Sequence, residues 1–261
     1  MHAPDGPPHL TWVGHSTFLA RLGGSCFLID PVFSPRVGAI YPRQSPPGLA
    51  PEDLPELDFI LISHNHYDHL EVPFLSRLPN VPVVTPLGNG RLIPNRGGRR
   101  IEELDWWEST DVGDLRITVV PARHWSRRSL FDTNRSLWGG FVIESGAGTI
   151  YHAGDSAEFD GFTAIGERFP FLDVAILPIG GYDPAWFMEH NHLNPEQAGK
   201  AFLNLGARTM IPMHWGTYRL TDEPLHEPPA RLRAWWERRR PVDRQLRVPA
   251  LGESVLLADL G

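Results

Sequence analysis

At 261 residues with 41% hydrophobic content, the chain is long enough to bury one large core. A net charge of −7 excludes a general attraction to nucleic acid or to an anionic membrane surface, and no stretch approaches the roughly 18 apolar residues of a transmembrane helix. The single cysteine, Cys26, excludes an intramolecular disulfide; with no apolar leader after Met1, it predicts a reducing, cytoplasmic setting.

The elements follow in chain order. A short polar, proline-rich lead over residues 2–8 precedes the apolar Leu10-Thr11-Trp12-Val13. Residues 17–22 and 26–30, separated by Gly23-Gly24-Ser25, predict a β-hairpin. The proline-rich stretch 42–55 predicts an ordered surface loop rather than a domain boundary. Phe59-Ile60-Leu61-Ile62 is an apolar strand, and further strands are expected over 115–120, 140–144, 149–151, 174–177, 209–211 and 254–257. The clearest helix begins after Asn194 as N-cap, with Pro195 in first position, Gln197 completing a capping box and Gly206 as the stop. Its apolar stripe is Ala198, Ala201, Phe202 and Leu205; a second helix spans about 229–239, with Leu232, Trp235 and Trp236 turned inward. Strand pairs interrupted by helices, with no repeat, low-complexity segment or linker, predict one α/β domain over 1–261, a sandwich of two sheets with helices outside.

The chemistry is concentrated in His64-Asn65-His66-Tyr67-Asp68-His69, directly after the strand at 59–62. Imidazoles and carboxylates are ligands that suit Zn²⁺, and the i, i+2 spacing in a sharp loop lets His64 and His66 face one ion while Asp68 and His69 turn toward a second. Four ligands cannot close two sites. His124, Asp155 and His214 each follow a predicted strand, where side chains from rigid platforms can converge at one sheet edge.

The order H-x-H-x-D-H, then His124, Asp155 and His214, resembles the metallo-β-lactamase superfamily over nearly the whole chain. HNHYDHL at 64–70, PARHWS at 121–126, LWGGF at 137–141, LPIG at 177–180, Trp186-Phe187-Met188 and HWGT at 214–217 resemble its N-acylphosphatidylethanolamine-hydrolysing phospholipase D branch. That resemblance implies an αββα sandwich of two mixed sheets with the metals at one edge. It also implies His64, His66 and His124 on one zinc, Asp68, His69 and His214 on the other, and Asp155 bridging both together with a hydroxide. Mn²⁺ or Fe²⁺ are alternatives to zinc. No Cys or Glu stands at any of the seven positions, which argues against the flavodiiron-type and thiolate-containing variants. The short lead at 2–8 suggests that the N-terminal extension of the branch's animal enzymes is missing, so membrane docking and lipid preference do not carry over with the resemblance.

Asp155, Asp68 and His192 form the expected catalytic set. His192, in His190-Asn191-His192-Leu193-Asn194-Pro195, matches a histidine that the branch places over its metals and is the candidate to protonate a leaving alkoxide; capping the helix near Asn194 is its other reading. Tyr182, after Gly180-Gly181, either steers a phosphate or caps a turn, and Arg127-Arg128 follow His124 closely enough to reach a phosphate. The other basic clusters, at 96–100 and 231–247, read as solvated faces. His15 and His152 are expected as outer partners of the ligands. Trp125, Trp138, Trp186, Phe187, Met188 and Trp215 flank the metal-site segments as an aromatic wall suited to an acyl chain, with Trp125 and Trp186 as substrate contacts, although any one of them is also an ordinary core side chain.

The reading is a di-zinc phosphodiesterase of phospholipase D type for a phospholipid-like or smaller diester. The alternative is a lactonase or ester hydrolase related to ascorbate-6-phosphate lactonase, and a non-catalytic metal-binding or nucleic-acid-processing domain comes third. The expected partner is a small-molecule or lipid phosphodiester and not nucleic acid; peripheral membrane contact and a homodimer are both compatible with the sequence.

Overall fold

The computed structural model describes residues 6–38, 40–78, 80–95 and 97–260; the first part of the polar lead and Arg96 of the basic run lie outside them. Two seven-stranded mixed sheets form the frame. The first runs, in spatial order, Ser254–Leu256, His9–Gly14, Thr17–Leu22, Ser25–Ile29, Phe59–Leu61, Val83–Pro86 and Ile101–Leu104. It is antiparallel as far as Ser25–Ile29 and parallel from there on. The second runs Gln245–Leu246, Thr209–Met213, Val174–Pro178, Gly148–His152, Gly140–Ser145, Leu115–Val120 and Ser109–Val112, parallel at its first end and antiparallel at the other.

Side-chain alternation explains the layering. Phe27 and Phe59 of the first sheet point into one continuous core with Ile117, Phe141, Ile150 and Ile176 of the second, whereas their neighbours Leu28 and Ile60 face a separate cluster with Leu70, Phe74 and Leu75. Each fully buried Phe or Ile contributes roughly 1.5–3 kcal/mol, so the contact between sheets is the main source of stability. Phe162 and Ile165 of helix Gly161–Arg168, Phe202 of Pro195–Leu205 and Leu232 of Glu227–Arg239 join the same core from outside the second sheet. The α/β sandwich predicted from sequence is the architecture observed.

Local chemistry accounts for the elements read correctly. Thr17–Leu22 and Ser25–Ile29 are joined by Gly23 and Gly24 at φ 54° and 76°, the two positive angles of a type I′ turn that only glycine adopts readily. Asn194 caps Pro195–Leu205 by accepting from Gln197 N while the Gln197 side chain accepts from Asn194 N, an arrangement worth about 1 kcal/mol. Gly206 ends that helix in the left-handed conformation. The second helix is Glu227–Arg239, beginning slightly earlier than expected because Pro228 and Pro229 are accommodated in its first turn. Residues 42–48 are tied down, with Gln44 N donating to Thr217 O and Gly48 N to Val13 O.

Several elements gave no sequence signal. Ile101–Leu104 and Ser109–Val112 are edge strands, charged or polar and without an apolar face, and Val83–Pro86 is short and bounded by prolines. Helix Gly161–Arg168 contains two glycines, which depress its propensity; packing on the core holds it. Among the described residues, no helix is long and apolar enough to cross a membrane.

Candidate metal centre

The loop after Phe59–Leu61, the extended segment after Leu115–Val120, and the turns after Gly148–His152 and Thr209–Met213 all open at one edge of the sandwich. They carry His64 to His69, His124, Asp155 and His214 respectively, and the structure brings all seven together.

Two groups form. His64, His66, His124 and Asp155 offer donor atoms within 4.8 Å of one another, and so do Asp68, His69 and His214 together with His15. In the first group His66 Nδ1 lies 2.9 Å from His64 Nε2 and 3.2 Å from His124 Nε2. In the second, Asp68 Oδ2 lies 3.4 Å from His214 Nε2 and 3.8 Å from His69 Nε2. One atom faces both: Asp155 Oδ2 is 3.2 Å from His69 Nε2, 3.2 Å from His214 Nε2, 3.8 Å from His124 Nε2 and 4.0 Å from His64 Nε2.

The electrostatics match a cation-binding set. Burial, reinforced by neighbouring imidazoles, pushes His64 well below the usual histidine range; burial does the same to His124, so both rings present lone pairs at neutral pH. Burial alone would raise Asp155 and Asp68. The imidazoles around them win: His214 and His69 hold Asp155, and His69 with His15 hold Asp68, well below the carboxylate range. Burial would lower His214, but Asp155 and Asp68 push it up to about 9, and Asp155, Asp30 and Asp68 raise His69 likewise. Protons on these two rings thus occupy the positions where a divalent cation would compete. His69 Nε2, His214 Nε2 and Asp155 Oδ1 are buried with no hydrogen-bond partner among the described residues, the state expected of atoms reserved for a metal. Nitrogen and carboxylate donors without thiolate suit zinc, manganese or iron.

An outer layer orients the ligands. His124 Nδ1 donates to Asn191 O at 2.9 Å, leaving Nε2 for the centre. His15 Nε2 meets Asp68 Oδ2 at 2.9 Å, and burial lowers this imidazole to about 4; it is the outer partner expected. His152 Nδ1 accepts from Gly154 N at 3.1 Å and so shapes the turn before Asp155. Asp30 was not anticipated. Its carboxylate receives Ser63 N at 2.7 Å and Ser63 Oγ at 2.6 Å and lies 2.7 Å from His69 Nδ1. The available signal was Ile29-Asp30-Pro31, a lone carboxylate at the end of an apolar strand. Asp30, His15 and His214 have φ of 44°, 52° and 63°, so backbone strain gathers around this centre.

The remaining expected residues divide. His192 stands over the cluster, its Nδ1 3.9 Å from Asp155 Oδ2, and its ring centroid 5.1 Å from that of His124 and 5.4 Å from that of His214. Asn194, not His192, caps the following helix. A cleft of about 780 Å³ opens above, lined by Trp125, Arg127, Leu130, Phe187, Met188 and Leu220 among others, with Asp68, Asp155, His192 and His214 at its floor. Trp125 packs edge-on to His66 at 4.7 Å. Trp186 is not part of the cleft wall. It is 77% exposed, because the short helix Ala185–Met188 turns Phe187 and Met188 inward instead. Tyr182 is also not at the cleft: its hydroxyl donates to Glu227 at 2.8 Å and its ring lies under Arg231. Both arginines of the pair line the cleft, but Arg128 is committed to the metal-binding loop, donating to Asn65 O and Leu70 O at 2.9 and 2.8 Å, whereas Arg127 donates to its near neighbour Ser129 O at 3.0 Å. Trp138 donates to Ala122 O and Trp215 stacks on Trp12, both as packing.

Comparison with known proteins agrees with this geometry. The family described as "Beta-lactamase superfamily domain" matches residues 26–215. The chain is 37% identical over 242 residues to N-acyl-phosphatidylethanolamine-hydrolyzing phospholipase D 1 of Caenorhabditis elegans, covering 85% of this chain and 68% of that protein. It is 36% identical over 241 residues to the mitochondrial N-acyl-phosphatidylethanolamine-hydrolyzing phospholipase D of Saccharomyces cerevisiae, covering 87% of this chain and 51% of the yeast protein. The metallo hydrolase Igni18 of Ignicoccus hospitalis shares the fold, with a TM-score of 0.72 at 24% identity over 96% of this chain and 98% of that one. With a family match across most of its length and a His/Asp cluster able to bind metal at the fold's edge, the chain belongs to the metallo-β-lactamase superfamily and is a metal-dependent hydrolase.

Proposed function

We propose that the protein is a di-zinc phosphodiesterase of phospholipase D type, acting on a phospholipid-like or smaller phosphodiester. The observation that carries this reading is the position of Asp155 Oδ2, between the two donor groups and 3.2 Å from both His69 Nε2 and His214 Nε2. Two cations held there supply an acidified water as nucleophile and Lewis-acid contacts to the phosphoryl oxygens.

The protein's own residues do the rest. Asp155 and Asp68 bring negative charge that holds two cations close together, and the outer contacts of Asp30 and Asn191 fix the rings so that the centre needs little rearrangement. His192, on the cleft side of Asp155, is placed to protonate the departing alkoxide. Burial, the largest influence on it, lowers its pKa to about 4, so near neutral pH the ring is neutral in the free enzyme and gains the proton it delivers beside the anionic diester. Trp125, Phe187, Met188 and Leu220 make the cleft wall apolar, which suits an acyl chain or another apolar substituent, while Arg127 and Arg128 put positive charge on that wall. The two phospholipase D relatives, more than a third identical to this chain, favour the phosphodiester over other ester classes.

The test is turnover of bis-p-nitrophenyl phosphate and an alkyl phosphodiester against simple lactones, with zinc supplied and then chelated. Zinc-dependent cleavage of the diesters is the expected result. Lactone turnover without diester cleavage would overturn the assignment in favour of the lactonase alternative.

A further inference from the structure

We propose that Glu223 is a positioning residue for His192, acting through the backbone of Gly181; the inference rests on the reading of His192 as the acid.

Glu223 is 8% exposed. A carboxylate is costly to bury unless its oxygens find donors, and this one uses both on a single loop: Oε1 accepts from Gly181 N at 2.5 Å and Oε2 from Asp183 N at 3.2 Å. That loop runs between two members of the centre. A Cβ on Gly181, at φ +86°, would lie 3.0 Å from His192 Nδ1, and a Cβ on Gly180 would lie 2.1 Å from His214 O. The glycine backbone is therefore the surface on which the His192 ring rests.

His192 has little else to hold its ring. Its Nδ1 makes no hydrogen bond among the described residues, and 3.9 Å to Asp155 Oδ2 is too long for one. Its backbone N donates to Met188 O, which fixes the chain but leaves the ring's orientation to packing. Gly181 is one wall of that packing and His124 and His214 are others. A second brace supports the loop from outside: Tyr182 donates to Glu227, Arg231 lies over the Tyr182 ring, and Arg231 pairs with Glu196 at 2.6 Å. Asp222 N also donates to Asp183 O, so Glu223 reaches the loop from a segment already attached to it. Freed from Glu223, Gly181 recovers the backbone freedom of a glycine, and the His192 ring loses its stop. Misplacement of an acid by about 1 Å costs up to roughly 10²-fold in rate.

The experiment uses the zinc-loaded full chain and the variants Glu223→Gln, Glu223→Ala, His192→Ala and the double Glu223→Gln/His192→Ala. Glu223→Gln is isosteric and keeps the acceptor for Gly181, so it remains readable if the alanine variant does not fold. Expected are a kcat loss on the alkyl diester of about tenfold for Gln and up to roughly 10²-fold for Ala, with a much smaller loss on bis-p-nitrophenyl phosphate, whose leaving group needs no proton. The double variant should be no slower than His192→Ala alone. In crystals of the Glu223 variants, the His192 ring should shift or become mobile while the seven ligand side chains stay in place. Equal losses on both substrates, additive losses in the double variant, or an unmoved His192 ring would overturn the role of Glu223. Equal losses on both substrates in His192→Ala itself would overturn the acid reading, and this one with it. A leaving-group-selective loss in His192→Ala without one in the Glu223 variants sinks only the latter.

Discussion

Asp30 Oδ2 lies 2.7 Å from His69 Nδ1, with both side chains fully buried, and the same carboxylate receives Ser63 N and Ser63 Oγ. The first sheet thus reaches through one carboxylate to the imidazole whose other nitrogen faces Asp155 and Asp68. Asp30→Asn keeps the shape and removes the charge. Expected is a loss of roughly 10–100-fold in zinc affinity, the usual scale for an outer partner of a ligating histidine. Competition against a chromogenic chelator measures it, and unchanged affinity would show that the contact only fastens the fold.

Two transition-metal ions per chain are expected after zinc reconstitution, with imidazole nitrogens at roughly 2.0–2.1 Å from the metal. Elemental analysis giving well under one ion per chain would refute the two-site arrangement.

The pH dependence of the chelated protein follows from His214, whose pKa stands at about 9 against an ordinary 6.5 because Asp155 and Asp68 outweigh its burial. A raised pKa in the folded state means that the imidazolium contributes stability that is fully present below about 6.5 and is lost as pH rises toward 9. Zinc competes with that proton, so apparent zinc affinity should climb over the same interval and binding at pH 7 should release protons. Calorimetry in buffers of different ionisation enthalpy reads the release directly; none at pH 7 would contradict the prediction.

Asp155→Asn should abolish hydrolysis with the fold retained, because it removes the shared charge and preserves side-chain size; the chelated variant should melt lower near neutral pH, since the charge that raises His214 and His69 is gone. Asp68→Asn should lose less, since His69 and His214 still face the second position. Full turnover by Asp155→Asn would dismiss the central role of that oxygen.

His192→Ala should lower kcat on an alkyl diester by roughly 10²–10⁴-fold with both metals retained. Gly181→Ala, whose Cβ would crowd His192 Nδ1 at 3.0 Å, should weaken turnover in the same leaving-group-dependent way. Metal content measured alongside separates this from loss of the centre.

The chain itself carries the seven convergent residues, the Gly23-Gly24 hairpin, the capped helix after Asn194 and the sandwich class. Each is written in local spacing, in turn glycines or in apolar alternation, which act over a few residues and survive without knowledge of the fold. Tertiary structure alone decided what those residues touch. Tyr182, read beside the site from its place after Gly180-Gly181, turns toward Glu227, and Trp186 faces solvent while its neighbour Phe187 lines the cleft. Arg128 is taken up by carbonyls of the metal-binding loop, whereas Arg127 reaches only two residues along its own chain, to Ser129 O. Asp30 and Glu223 lie 39 and 42 residues from His69 and Gly181, the partners they hold. Side-chain direction and long-range pairing of buried carboxylates depend on how the two sheets and their loops close over one another, and no local pattern in the sequence records that closure.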